Sequence, residues 1–197
     1  MLTNTKKLRG FTIRARDGEL GTVDRFYFDD VTWAIRYLTV ETGGRSGARK
    51  IPISPTSVVH TDWRARRLDV ALTKRQVENG PEWADSHLRS TQAMTGYRIE
   101  ATDGEIGHVD GFLVDDEAWT IRYLEVATRD RWPGKKVLVS PAWIDRVSWE
   151  DSSVYAGLSR EAIRNAPEYF EACQITREYE DRLHIHYGQP SYRLQEA

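Results

Sequence analysis

The sequence predicts a mostly β fold: two small antiparallel β-barrels in tandem, related by a pseudo-twofold axis, each carrying one short helix, with a helical tail at the C-terminus. Three observations predict it. One unit occurs twice at a fixed register, the apolar residues within each unit alternate with period two, and the composition is that of a globular protein. The chain has 197 residues, of which 40% are hydrophobic and 29% charged, enough for one or two small domains.

The repeat has a register of 86 residues. Residues 10–24 align with 96–110, and 33–40 with 119–126, without a gap. About 28 of the 74 positions from 10 to 83 are identical, far more than chance gives in one register. The predicted domains are, in order, a first repeat at residues 8–83, a linker at 84–93, a second repeat at 94–169 and a helical tail at 170–197.

Each repeat contains five or six short runs of β-branched and aromatic residues, separated by Asp-Gly, Asp-Asp and Pro-Gly turns. Such runs predict antiparallel strands, and closing them into a small barrel would remove exposed strand edges. One short helix is expected to end each repeat, because Thr73 and Ser159 are suited to be N-caps and Pro81 and Pro167 follow shortly after.

The tail has apolar residues at helical spacing and is expected to pack on a barrel or on a partner chain. The stop signal is Gly188 followed by Pro190. The spaced residues are Phe170, Cys173, Ile175, Tyr179 and Leu183.

Composition excludes several classes of function. The formal net charge is −2, so the whole chain is not an obvious nucleic-acid wrapper. No apolar run approaches the roughly 18 residues of a membrane-spanning helix, and residues 1–10 lack the apolar core of a signal peptide. We therefore expect a cytoplasmic protein without a membrane span. Cys173 is the single cysteine, which leaves no intrachain disulfide and no cysteine-based zinc site.

Three segments of the second repeat, 103–110, 119–124 and 137–141, together resemble the PRC-barrel family, and the first repeat carries the same pattern. Residues 175–188 are also similar to the end common in stand-alone tandem PRC-barrel proteins. The family includes the cytoplasmic barrel of the photosynthetic reaction-centre H subunit and the C-terminal barrel of a bacterial ribosome-maturation factor. The resemblance implies a β-barrel adaptor rather than a catalyst. It also implies two kinds of partner: a photosynthetic or electron-transfer membrane complex, contacted peripherally, or a ribosome-assembly intermediate.

Two tryptophans of the second repeat have no counterpart in the first. Trp132 and Trp143 stand where the first repeat has Ser46 and Ser57. Unmatched aromatics beside a loop are typical of a partner contact, and the packing of that loop is an equally weighted alternative. The predicted partner-binding residues are Trp132, Trp143, Arg129 and Arg131.

Charge is divided unevenly along the chain. Residues 1–90 carry a net charge of +5 and residues 91–197 a net charge of −7. The asymmetry has two interpretations: it steers one repeat onto the other, within a chain or between chains, or it forms a basic patch for RNA or an anionic membrane. The candidate patch consists of Arg45, Arg49, Lys50, Arg64, Arg66 and Arg67.

The repeated arginines Arg36 and Arg122 predict structural ion pairs. Alternation places them on the strand face opposite Glu125, and a face with a glutamate is expected to see solvent. The arginines should then lie against the barrel wall, with Asp24 and Asp110 as candidate partners. An anion site is the alternative.

No constellation indicates catalysis. The repeated Asp-Asp pairs at 29–30 and 115–116 have the context of turns in which aspartate caps its own backbone, with a hard-cation or acid–base site as the alternative. His184 and His186 lie two positions apart, which does not bring them together on a helix. We expect no enzyme, no cofactor and no metal. The expected function is a non-catalytic adaptor for a protein partner, as a homodimer or an intrachain pseudo-dimer, with an RNA-associated ribosome-assembly factor as the alternative.

Overall fold

The computed structural model describes residues 1–42, 49–80, 87–129 and 134–190, and their fold is mostly β. The elements up to the second repeat are β1 Leu2–Asn4, α1 Thr5–Leu8, β2 Thr12–Ala15, β3 Gly18–Asp29, β4 Ile35–Thr42, β5 Arg49–Ile53, β6 Val58–Asp62, β7 Arg67–Val70, α2 Lys74–Glu78, β8 Leu88–Ser90 and α3 Thr91–Met94. Those that follow are β9 Arg98–Ala101, β10 Gly104–Asp115, β11 Thr120–Thr128, β12 Lys136–Val139, β13 Ile144–Ser148, β14 Ser153–Ala156, α4 Arg160–Asn165 and α5 Arg177–Tyr187. Short 3-10 helices at Pro55–Ser57 and Pro141–Trp143 precede β6 and β13.

The strands form two seven-stranded sheets with the same order. One runs β5-β4-β3-β2-β7-β6, with β8 beside β3, and the other runs β12-β11-β10-β9-β14-β13, with β1 beside β10. The pairs β2–β7 and β9–β14 are parallel, whereas β2–β3, β3–β4, β4–β5, β3–β8, β6–β7, β9–β10, β11–β12 and β13–β14 are antiparallel. No pairing among the described strands joins β5 to β6 or β12 to β13, so each sheet is an open path. The mostly β prediction is confirmed, and the closed tandem barrels are not.

The chain divides into two compact units. The N unit contains Thr3–Ala93 and Asp115–Ile121; the C unit contains Met1–Leu2, Met94–Val114 and Arg122–Ala197. The N unit therefore combines the first repeat with one hairpin tip of the second. Within it, the Ile35 N–H donates to the Trp119 carbonyl at 2.7 Å, and the Ile121 N–H donates to the Trp33 carbonyl at 2.9 Å. The two equivalent hairpin tips thus exchange backbone hydrogen bonds.

Each unit has its own apolar core. Burial of each such side chain contributes about 1.5–3 kcal/mol. Core residues of the N unit include Phe11, Ile13, Phe26, Phe28, Leu38 and Leu68, and those of the C unit include Ile99, Phe112, Leu124, Val126, Leu138 and Ile163.

The Asp-Asp pairs are turns, as the sequence predicts. Asp29 Oδ1 accepts hydrogen bonds from the backbone N–H groups two and three residues ahead, at 3.0 and 2.8 Å, and Asp115 Oδ1 does the same at 3.0 and 3.3 Å. Each turn leads into a tryptophan with positive φ, 59° at Trp33 and 51° at Trp119. Because a bulky residue rarely adopts this conformation, the turn must be held by its surroundings.

Gly21 and Gly107 mark a close approach of two strands. A Cβ atom at Gly21 would lie 2.1 Å from the carbonyl oxygen of Glu41, and one at Gly107 would lie 2.1 Å from that of Ala127. Neither position has room for any side chain, so the approach requires glycine.

The predicted helix caps are present. Thr73 forms a capping box with Gln76 at the start of α2, and the Ser159 side chain accepts the backbone N–H of Ala162 at the start of α4. The tail helix α5 begins later than the spacing of apolar residues suggested, because Thr176 is its N-cap. The predicted linker 84–93 contains β8 and most of α3.

Across the described ranges, no helix combines the length and the apolar character needed to cross a bilayer.

Candidate functional site

The tail helix α5 covers Trp143, which the sequence places at a partner contact. Trp143 is 7% exposed, and its ring centroid lies 5.1 Å from that of His184 and 4.7 Å from that of Tyr187. Tyr123 lies beneath the same helix, with its hydroxyl 3.1 Å from Glu180 Oε1 and 2.9 Å from His184 Nε2. Trp143 as a partner-binding residue is therefore wrong for this structure: the chain's own tail occupies the surface that an isolated repeat would leave open.

The rest of the predicted partner surface is only partly visible. Trp132 and Arg131 lie outside the described residues. Arg129 has a 63% exposed side chain and pairs with Glu105 across 2.5 Å. Of the four predicted contact residues, Arg129 is thus the one that the structure describes at the surface.

Glu125 lies in the interior, contrary to the expectation that its face sees solvent. Its side chain is fully buried, and the Lys136 Nζ lies 2.6 Å from its Oε1. The same ammonium lies 2.8 Å from Asp110 and 3.9 Å from Glu171. Partial burial acts to lower the pKa of Lys136, but its hydrogen bonds to Asp110 and Glu125 outweigh burial and hold that pKa above its ordinary value. Strand β11 can bury this carboxylate because a paired cation neutralises it.

The predicted partner of Arg36 needs correction. Arg36 is exposed and lies 3.3 Å from Asp29, the turn residue, rather than pairing with Asp24. Asp24 and Asp110 instead each bind the equivalent lysine on the next edge strand, Lys50 or Lys136, at 2.8 Å in both cases.

A basic cluster surrounds Asp24 in the N unit. We define it as Arg9, Arg25, Lys50 and Arg66. Arg9 Nε donates to the Asp24 carbonyl at 3.1 Å, and Arg25 and Lys50 bind the Asp24 carboxylate at 3.2 and 2.8 Å. Arg66 donates to the Arg9 carbonyl at 3.2 Å. Two of the four cations thus bind the Asp24 carboxylate, and Arg9 and Arg66 are joined to the cluster through backbone carbonyls.

The cluster differs from the patch predicted from the sequence. Lys50 and Arg66 are common to both. The patch predicted from the sequence omits Arg9, which follows Lys6 and Lys7, and Arg25, which lies in no charge run; the signal that could have identified Arg25 is that the aligned residue of the second repeat is Gly111. Arg67 is held by Asp62 and Asp69, which lowers its capacity to bind other anions. The remaining predicted residues are Arg49 and Arg64, which are exposed, and Arg45, which lies outside the described residues.

The two tail histidines point to different surroundings. His184 is buried, and its Nδ1 donates to the Pro190 carbonyl at 2.8 Å, whereas the exposed His186 uses Nε2 to bind the Ala162 carbonyl at 2.7 Å. The described residues contain no group of three or more His, Cys, Asp or Glu side chains arranged to hold a metal.

Neither a protein-family model nor a curated protein matches this sequence. The function must therefore be inferred from the sequence and the structure of the chain.

Proposed function

We propose that this chain is a non-catalytic adaptor of the PRC-barrel class that acts in the cytoplasm by binding a protein partner. The observation that carries the proposal is the use of the repeated polar residues. Asp29 and Asp115 close turns, Thr73 and Ser159 cap helices, and the Lys–Asp pairs link β5 to β3 and β12 to β10 across the strand that lies between them. These residues build the same fold twice, while equivalent surface positions diverge, which is typical of a scaffold.

The partner contact that we propose is the surface around Arg129 and the adjoining residues Arg131 and Trp132. Arg129 is exposed, and arginine and tryptophan are the side chains most enriched in binding hot spots. The resemblance of the repeats to PRC barrels supports a photosynthetic or electron-transfer membrane complex as the partner.

The test is affinity purification of the tagged chain from its native host at low and moderate salt, with identification of the co-purifying proteins. Trp132→Ser introduces the residue of the first repeat and is expected to lower recovery of the partner at least about tenfold, the size of a hot-spot loss. Ser46→Ala is the position-matched control and should retain it. Equal recovery by both variants would contradict this surface.

The basic cluster favours a second candidate, an RNA-associated ribosome-assembly factor. Arg66 and Arg64 lie near its edge in the turn between β6 and β7. If they bind phosphates, the double variant Arg64→Gln/Arg66→Gln should reduce the slope of log K against log salt by about 1–2, and Arg177→Gln, an exposed arginine of the C unit, should leave it unchanged. RNA binding that does not weaken with salt would contradict this candidate.

For the oligomeric state we propose an intrachain pseudo-dimer, with a homodimer as the alternative. The exchange of backbone hydrogen bonds between the two hairpin tips in the N unit supports it, because two copies within one chain already supply that pairing. Light scattering should give the monomer mass of 22.7 kDa; twice that mass would favour the homodimer.

A further inference from the structure

The segment between α4 and the middle of α5 encloses a cavity in the C unit. Its volume is about 390 Å³, at the lower end of the range of small-molecule sites. The apolar part of its wall comes from Tyr169, Phe170, Ile175 and Tyr179. Phe170 is 56% exposed, so a large aromatic surface borders the opening. The wall is therefore suited to an apolar or aromatic group.

The cavity is preformed by contacts at both ends of the segment. The Tyr179 hydroxyl donates to the Pro167 carbonyl at 3.0 Å, closing a loop of twelve residues. The Tyr169 N–H donates to the Lys136 carbonyl at 2.8 Å, which anchors the segment to β12, and Thr176 caps α5. A site held in this way loses little conformational entropy when a ligand binds.

Two side chains of opposite charge complete the lining, Glu168 and Arg182. Both are exposed, and over the described ranges neither forms an ion pair; the Arg182 guanidinium lies over the Tyr179 ring, with its Cζ 5.9 Å from the ring centroid. Both lie near the same phenol: burial and the neighbouring Tyr169 raise the pKa of Tyr179, the charge of Arg182 opposes this rise, and that of Glu168 adds to it. The lining thus offers one cation and one anion beside an aromatic wall.

We propose that this cavity binds a small zwitterion with an apolar body, of the class of the aromatic α-amino acids. The ligand carboxylate binds the Arg182 guanidinium, its ammonium group binds Glu168, and its ring packs against Phe170 and Tyr169. A ligand with a single charge satisfies one of the two side chains and leaves the other facing a group that it cannot bind. This site is independent of the adaptor function proposed above.

Cys173 provides a built-in reporter of occupancy. It is the single cysteine of the chain, its thiol is exposed, and it lines the cavity. The test measures the rate at which Ellman's reagent modifies Cys173 in the full chain, with increasing L-phenylalanine up to 10 mM. Saturation should slow the modification at least threefold, and calorimetry should give the same dissociation constant. The single-charge probes 3-phenylpropionate and phenethylamine should each bind at least about tenfold more weakly, since each lacks one charge-assisted hydrogen bond.

Variants locate the site. Arg182→Gln should weaken the binding of L-phenylalanine about tenfold, whereas Arg177→Gln, an exposed arginine on the same helix outside the lining, should not change it. Glu168→Gln should remove the preference for L-phenylalanine over 3-phenylpropionate. The circular dichroism spectrum and the melting temperature of each variant verify that it is folded.

Three results would overturn the proposal. The first is an unchanged rate of Cys173 modification and no heat of binding with L-phenylalanine. The second is an equal loss of binding in Arg182→Gln and Arg177→Gln. The third is protection by either single-charge probe as strong as that by L-phenylalanine.

Discussion

The N and C units place the same lysine–aspartate pair between the same two strands, yet they bury different groups around it. In the N unit, Lys50 and Asp24 lie 2.8 Å apart, and Thr39 occupies the position beside them. In the C unit, Lys136 and Asp110 lie at the same distance, and the equivalent of Thr39 is the fully buried Glu125. The difference shows that the lysine of the edge strand, which occupies the same position in both repeats, can also neutralise a second carboxylate that is buried.

A second difference concerns the tail. Position 57 in the N unit is Ser57, half-buried, whereas its equivalent Trp143 lies under α5. Substitutions that exchange residues between equivalent positions can therefore test whether the stability of the C unit depends on the residues that the N unit lacks, such as Trp143 and Glu125. The expected effects are described from the largest to the smallest.

The largest effect is expected for Trp143→Ser, which gives the C unit the residue of the N unit. Loss of the indole leaves a cavity against His184 and Tyr187 and should cost about 3–5 kcal/mol of the free energy of unfolding. Urea denaturation measures the loss, and hydrogen exchange should show faster opening of α5. Ser57→Ala, at the matched position, should change stability by less than about 1 kcal/mol. A loss of stability for Trp143→Ser as small as that for Ser57→Ala would show that the packing of the tail does not depend on Trp143.

Removal of the paired lysine should distinguish the two units next. Lys136→Met leaves the buried Glu125 without its cation and should cost about 3 kcal/mol, whereas Lys50→Met should cost less than about 1 kcal/mol because Arg25 still binds the Asp24 carboxylate. Urea denaturation of both variants measures the difference.

A double variant separates the charge effect from general damage. Glu125→Thr, which introduces the residue of the N unit, should restore most of the stability lost in Lys136→Met, because no buried charge then remains unpaired. If the double variant is as unstable as the sum of its two substitutions, the ion pair does not explain the loss.

The Asp29 turn should give a smaller, pH-dependent effect. The pKa of Asp29 is lowered from 3.8 to about 2. The main cause is the hydrogen bond from the Thr32 backbone N–H; burial opposes it, and hydrogen bonds from the Thr32 hydroxyl, the Val31 N–H and Arg36 add to it. Because the pKa is lower in the folded state, the stabilisation is complete above pH 4 and is lost as the pH falls from about 4 to about 2. Asp29→Ala should cost about 1–2 kcal/mol at pH 6 and progressively less at lower pH.

Asp29→Asn is the control for charge, since it keeps the Oδ1 acceptor. Urea denaturation at pH 6, 4 and 3 should show a smaller loss for Asp29→Asn than for Asp29→Ala at pH 6. A constant difference between the wild-type protein and Asp29→Ala across this range would contradict the lowered pKa.

The smallest effect is expected at the equivalent positions 49 and 135, which directly precede the paired lysines Lys50 and Lys136. Lys135 Nζ donates to the Arg164 carbonyl at 2.9 Å and to the Ala166 carbonyl, at the C-terminal end of α4. Lys135→Gln should therefore cost about 0.5–1 kcal/mol, in keeping with a cation at a helix C-terminus, and Arg49→Gln close to zero. Thermal denaturation at low and high salt measures both, and a loss for Arg49→Gln equal to that for Lys135→Gln would contradict this assignment.

The sequence predicted the features that local chemistry determines. Turn aspartates, helix caps and the repeat register depend on residues within a few positions of each other, and the structure confirms them at Asp29, Asp115, Thr73 and Ser159. The predicted burial of β11 failed for a different reason. Alternation assumes that one face of a strand sees solvent, but the tail covers that face around Tyr123 and Lys136 reaches over Glu125.

Side-chain pairing was less predictable than backbone structure. Strand register places Lys50 and Lys136 beside the aspartates of the repeat only once the β4–β5 and β11–β12 pairings are known. The basic cluster depends on the same tertiary information, because Arg9 and Arg66 are 57 residues apart in the chain and meet where the Arg66 guanidinium donates to the Arg9 carbonyl.

Gly21 and Gly107 have a consequence for the history of the chain. After the duplication of an ancestral unit, the two copies could diverge in charge, in aromatic content and in what covers them, but a methyl group at either glycine would collide with the facing carbonyl oxygen. Selection therefore retains glycine at these two positions because no side chain fits there. In descendants too divergent for their other residues to be aligned, a pair of glycines, each preceding the long central strand's valine by two residues, would still identify the two halves.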